Sequence, residues 1–173
     1  MFLILWLGWS LRWLHLNARP MHGDEAVHAL KLRDVLQSDY RYDSQEYHGP
    51  SLYYLTLPVL KFFGARDIAQ IDESALRIVP LLAGLVLIAF LPAVQDGLTR
   101  IGVLIAALLT ATSPAMVFYS RYYIQEMLLV AVSFFLVAAL WQAVRTRKII
   151  WMFIAGLSLG FMHATKETDV LVV

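Results

Sequence analysis

The sequence predicts an all-α protein, a polytopic transmembrane helical bundle with juxtamembrane helices in a long first outer loop. Three observations point there. Hydrophobic residues make up 60% of the 173 and charged residues 16%, with a mean hydropathy of +0.64, which leaves too little polar surface for a water-soluble domain. Apolar stretches at 2–16, 78–94, 101–119, 127–144 and 149–165 approach the roughly 20 residues that cross about 30 Å of hydrocarbon. Between the first two stretches lies a polar and aromatic segment, 17–77, far longer than a tight connection.

Each element has its own justification. The stretch 2–16 is short and carries Arg12 near one end, where it can snorkel. It lacks the basic lead and small-residue cleavage site of a signal peptide, and the chain reads as the N-terminal part of a larger membrane protein, inactive alone. A helix is expected from Asp24, after Gly23, with Asp24 and Glu25 in the first turn where the dipole favours carboxylates, and with Ala26, Val27 and Leu30 on its buried face. The stretch "HGPSLYYLTLP" opens a helix over 52–63 that is too short to span: twelve residues reach only about 18 Å, and Pro58 interrupts them. It is expected to lie in the interface, with Tyr53 and Tyr54 at headgroup level and Lys61 snorkelling. Four apolar stretches follow, and a new run starts at 170–173.

Orientation follows from the basic cluster Arg145, Arg147 and Lys148, which the positive-inside rule places in the cytoplasm. Alternation then puts the loop around Asp96 and Arg100 on the same side, and 17–77, 120–126 and 166–169 outside. Charged groups from three separate segments thus converge on the outer face, the strongest functional signal in the sequence. Other chemistries are excluded or unsupported. Zero cysteines remove disulfides, thiolate metal sites and a cysteine nucleophile, and a net charge of +1 without a basic run gives no footprint for nucleic acid.

Taken singly, the candidate residues admit plain readings. Asp24 can be a helix cap, Arg121 and Glu126 an exposed ion pair, Lys166 a snorkelling residue, and His48 a loop histidine bonded to backbone; His22, Asp24 and His28 share spacing that suits a metal, without a standard zinc pattern. Together, the "DE" pair after the first span, the proline-containing aromatic helix, the "SP…SRYYIQE" turn and the Lys of "TKETD" resemble the GT-C superfamily of membrane glycosyltransferases. The likeness is greatest to the protein O-mannosyltransferase and aminoarabinose-transferase type and to the relatives called flippase-activity-associated proteins, and it runs from about His22 to Val173.

The resemblance implies transfer of a sugar from a polyprenyl-phosphate carrier to a protein, lipid or glycan acceptor at the outer membrane face, without nucleic acid. It implies that Asp24 is the catalytic base with Glu25 as helper, that Arg121 and Lys166 hold the leaving phosphate, and that Glu126 serves the acceptor or a metal. His48 stands where it can face the donor phosphate. Where aminoarabinose-type enzymes carry Glu-Lys before the proline, this chain has Tyr47 and His48, with Glu46 one place out of register. A divalent metal is left open by the resemblance, and this departure counts against it. The competing class is a lipid-linked glycan flippase or its associated subunit; transporters place ionisable groups near the midplane, whereas here the charges gather at the outer ends of the spans.

Overall fold

The structure, a computed structural model, describes residues 1–42, 48–64 and 71–167. Glu46, Tyr47 and the run 170–173 lie outside the described residues. The described elements are α1 (Phe2–Trp13), α2 (Gly23–Leu36), α3 (Ser51–Phe62), α4 (Glu73–Phe90), a 3-10 turn (Leu91–Val94), α5 (Gln95–Thr112), α6 (Pro114–Ser120), α7 (Glu126–Thr146) and α8 (Ile149–His163). The fold is all-α. Among the described residues the only extended pairing is an isolated antiparallel bridge between His48 and Lys166.

Among the described residues two helical stretches are long and apolar enough to cross a membrane: Glu73–Thr112, which runs through α4, the 3-10 turn and α5, and Glu126–Thr146; α8 is apolar but shorter. Thr99 interrupts the first at φ 66° and ψ 165°, and its Oγ1 accepts from the Gly102 amide at 3.3 Å, so it caps the helix that follows. The apolar stretch expected over 101–119 is not one helix. Ser113 is extended at ψ 124° and α6 starts afresh at Pro114, because the proline ring disfavours a helical residue before it and supplies no N–H.

Small residues let the long helices approach. Ala107 and Ala111 of α5 meet Ile88 of α4, with Ile4 and Leu5 of α1 against them. Ala131 of α7 packs on Ala83 and Leu87 of α4, and Ala139 of α7 on Ala155 and Met162 of α8. Outward-facing Phe2, Ile101, Val144 and Ile149 are more than 70% exposed, a surface that suits lipid rather than water. The turn between α7 and α8 is made by Arg147 in the left-handed conformation, φ 53°. At that end Arg145 pairs with Asp96 at 3.0 Å; Glu126 and Lys166 lie at the other end of the same hairpin.

Arg12 does not snorkel. It is fully buried, and its guanidinium donates to Gly8 O, Ala111 O, Thr110 O and Ser120 Oγ at 3.0–3.2 Å, tying α1 to the α5–α6 break. The Thr110 and Ala111 carbonyls it satisfies are among those the end of α5 leaves without partners.

α2 and α3 pack with the first turns of α4 around Ala29, Leu32, Leu52, Tyr53, Leu60, Leu76 and Val79. Two expectations change here. The buried face of α2 is Glu25, His28, Ala29 and Leu32, while Val27 and Leu30 are about half exposed; the ion pairs of Glu25 set the rotation of the helix, not its apolar pattern. Tyr53 is 1% exposed and its hydroxyl bonds His28 Nδ1 at 3.0 Å, so it is a core residue. Tyr54, Phe62, Phe63 and Lys61 remain on the open face of α3.

Candidate active site

The "DE" pair splits into two environments one residue apart. α2 is capped by His22, whose Nδ1 accepts from the Asp24 amide at 3.4 Å while Glu25 Oε2 accepts from the His22 amide at 3.1 Å. That arrangement turns Glu25 inward to 1% exposure. There its oxygens accept from Arg77 Nε and Nη2, from Arg19 Nη2 and from the Tyr123 amide, all at 2.9 Å. Burial pushes its acidity toward the neutral form, but the Arg77, Tyr123 and His22 hydrogen bonds outweigh it and hold the carboxyl below the ordinary range. Arg77 also donates to Leu16 O at 2.8 Å and Arg19 O at 3.0 Å. One carboxylate therefore fixes the end of α1, the start of α2, the start of α4 and the turn after α6.

Asp24 points the other way, with its side chain 68% exposed. The Tyr122 hydroxyl lies 3.1 Å from Asp24 Oδ2 and 2.6 Å from His22 Nδ1. Burial, then the bond to Asp24, pushes the Tyr122 phenol up to about 12, so it stays protonated at neutral pH and offers one proton to two acceptors. Arg19 lies over the Tyr122 ring at 4.6 Å from its centroid, holding it in place.

Asp24, His28, His48, Glu126 and Lys166 line one cavity of about 450 Å³. Lys166 Nζ donates to Glu126 Oε1 at 2.8 Å, and Glu126 Oε2 is buried with no hydrogen-bond partner among the described residues. His48 is brought to Lys166 by the bridge between the start of α3 and the end of α8. The Gly49 amide donates to Thr165 O at 3.0 Å, the Ser51 amide to Ala164 O at 3.2 Å, and Ser51 Oγ to Thr165 Oγ1 at 2.8 Å. Only glycine fits at 49, because a Cβ there would run into the Ala164 carbonyl. His28 meets the His48 ring edge-on at 5.1 Å. Among the described residues His22, Asp24 and His28 do not converge as metal ligands.

Arg121 lies apart from this group. It lines a second cavity of about 430 Å³ with Arg19 and Arg77, and its Nη2 donates to His15 O at 2.7 Å. The exposed Arg121–Glu126 pair considered from sequence is absent among the described residues; Glu126 takes Lys166 instead.

Residues 48–173 match the family described as dolichyl-phosphate-mannose-protein mannosyltransferase. The chain belongs to that family. It is a membrane glycosyltransferase of the GT-C type. The matched region of this mannosyltransferase-family chain includes His48, Arg121, Glu126 and Lys166 and begins after the "DE" pair. No curated protein and no solved structure matches the chain.

Sequence reasoning passed over Arg77, Tyr122 and the cavity role of His28. Arg77 carried a usable signal, a charge at the threshold of an apolar helix. Tyr122 carried none, since its importance comes only from where α6 ends.

Proposed function

We propose that the protein moves a sugar from a polyprenyl-phosphate carrier to an acceptor hydroxyl, on a protein, lipid or glycan, at the extracytoplasmic face of a multi-pass membrane domain. The observation that carries this reading is the gathering of Asp24, His48, Glu126 and Lys166 around one cavity at one end of the helices. Asp24, exposed and held by Tyr122, is the general base. It takes the acceptor proton as the acceptor oxygen bonds the anomeric carbon and the bond from that carbon to the phosphate oxygen breaks. Lys166, oriented by Glu126, stabilises the charge on the departing phosphate, and His48 hydrogen-bonds it. Glu25 is a positioning residue: with every oxygen engaged and buried, it holds the turn that aims Asp24. No step is assigned to a metal.

Asp24→Asn keeps the side-chain size and removes the base, so single-turnover sugar transfer should fall at least about a hundredfold while donor binding persists. Near-normal transfer would remove Asp24 from the mechanism and turn attention to Glu126. The face is tested separately on the cysteine-free chain. A cysteine at Tyr42 should react with an impermeant reagent added outside and one at Thr146 should not; labelling of both from one side overturns the orientation.

A further inference from the structure

The turn between α7 and α8 lies at the end of the hairpin opposite Glu126 and Lys166, and two chemistries meet there. Arg147 is left-handed at φ 53°, and Lys148 after it is extended at φ -88° and ψ 126°, so the chain reverses with both cations on the wall of one cavity of about 470 Å³. Its remaining walls are Ala143, Val144, Ile149 and Met152, with no carboxylate among the described residues. Val144, Ile149 and Met152 are exposed. The charges of this turn are not used alike. Arg145 is spent on Asp96 at 3.0 Å, whereas the Arg147 and Lys148 side chains are exposed and make no ion pair or hydrogen bond among the described residues. Two free cations thus stand beside uncovered apolar surface.

The depth of the turn says what meets it. The 21 residues of α7 rise about 31 Å, close to the thickness of the hydrocarbon core. A helix of that length with Glu126 at one headgroup level carries Arg147 and Lys148 to the other, where lipid phosphates lie. We infer that this cavity binds an anionic diacyl phospholipid, its phosphate between Arg147 and Lys148 and an acyl chain against Val144, Ile149 and Met152. The guanidinium takes two phosphate oxygens in its planar fork, and the ammonium adds a point charge. A soluble anion gains nothing from the apolar wall, and a zwitterionic lipid brings a cation of its own to a turn that already holds two. The inference is independent of the transferase reading. A lipid held here fastens the turn of the hairpin whose far end carries Glu126 and Lys166.

The test is native mass spectrometry of the delipidated protein with phosphatidylglycerol, phosphatidylcholine and the tail-free headgroup glycerophosphoglycerol, each added separately. One phosphatidylglycerol per chain should be retained, bound about tenfold more tightly than either of the others, a size in keeping with two cations beside an anionic headgroup. The decisive variant combines Thr146→Arg with Arg147→Asn. It keeps the charge of the turn and moves the guanidinium to a residue that does not line the cavity, while asparagine tolerates the left-handed backbone at 147. That variant should lose the preference, since diffuse attraction needs only charge near the surface and a site needs charge beside the wall. Lys148→Gln should weaken it as well and serves if the double variant does not fold. Equal binding of the two lipids, equal binding of the tail-free headgroup, or a preference unchanged in the cavity variants overturns the site.

Discussion

Two arginine–carboxylate pairs mark opposite ends of the helical bundle, and their bond lengths are almost the same. Arg77 meets Glu25 at 2.9 Å and Arg145 meets Asp96 at 3.0 Å. Their surroundings differ completely: the first pair is 1% exposed on both sides, the second 48% and 44%. A buried charge must have its hydrogen-bonding capacity filled, and Glu25 gathers donors from four segments to do so. An exposed pair competes with water and gains little. The distance between ions thus says less about their worth than the number of segments that converge on them. Asp24, one residue away from Glu25, is spared structural duty and stays open to the cavity.

The largest expected effect comes from Arg77→Met, which leaves the buried Glu25 carboxylate short of its main partner. Removing one member of a buried pair costs about 3–5 kcal/mol, so thermal unfolding in detergent should show a large drop or no folded protein. A melting profile close to the parent's would break the comparison. A smaller effect is expected from acid. Glu25 is held below the ordinary glutamate range, so its contribution to stability is complete above the unfolded value of about 4.3 and is lost as pH falls through the lower folded value. Stability should be level toward neutral pH and decline below that range, and this acid-side decline should be reduced in Glu25→Gln. An identical decline in both proteins would assign it to other carboxylates. Asp96→Asn should do least, less than about 1 kcal/mol and less again in high salt; a loss comparable to that of Arg77→Met would erase the distinction between the two ends.

Much of this arrangement was legible in the sequence. The short helix after Gly49-Pro50 could be read from its length and Pro58. Asp24, His48, Glu126 and Lys166 were named chiefly through the family resemblance, and the structure places them around one cavity. What could not be read depends on contacts between distant segments. Glu25 read as a helper to the base because Arg77 and the Tyr123 amide, which hold it inside, stand 52 and 98 positions away. Arg12 looked like a surface charge because the carbonyls that hold it belong to Thr110 and Ala111. The face of α2 was misjudged for the same reason, since apolar periodicity is silent about a helix turned inward by a carboxylate.

The bridge between His48 and Lys166 makes one module of two distant pieces of chain. Because the Gly49 and Ser51 amides seat on the carbonyls that end α8, and because no side chain fits at position 49, the first loop cannot slide along that helix end. In an extended pairing a shift of one residue turns every side chain to the opposite face, and His48 would leave the cavity as Lys166 stayed. Loop and helix end must therefore be exchanged together: a chimera that imports the first loop of another transferase must bring the last turn of its α8 with it, or lose the alignment of histidine and lysine.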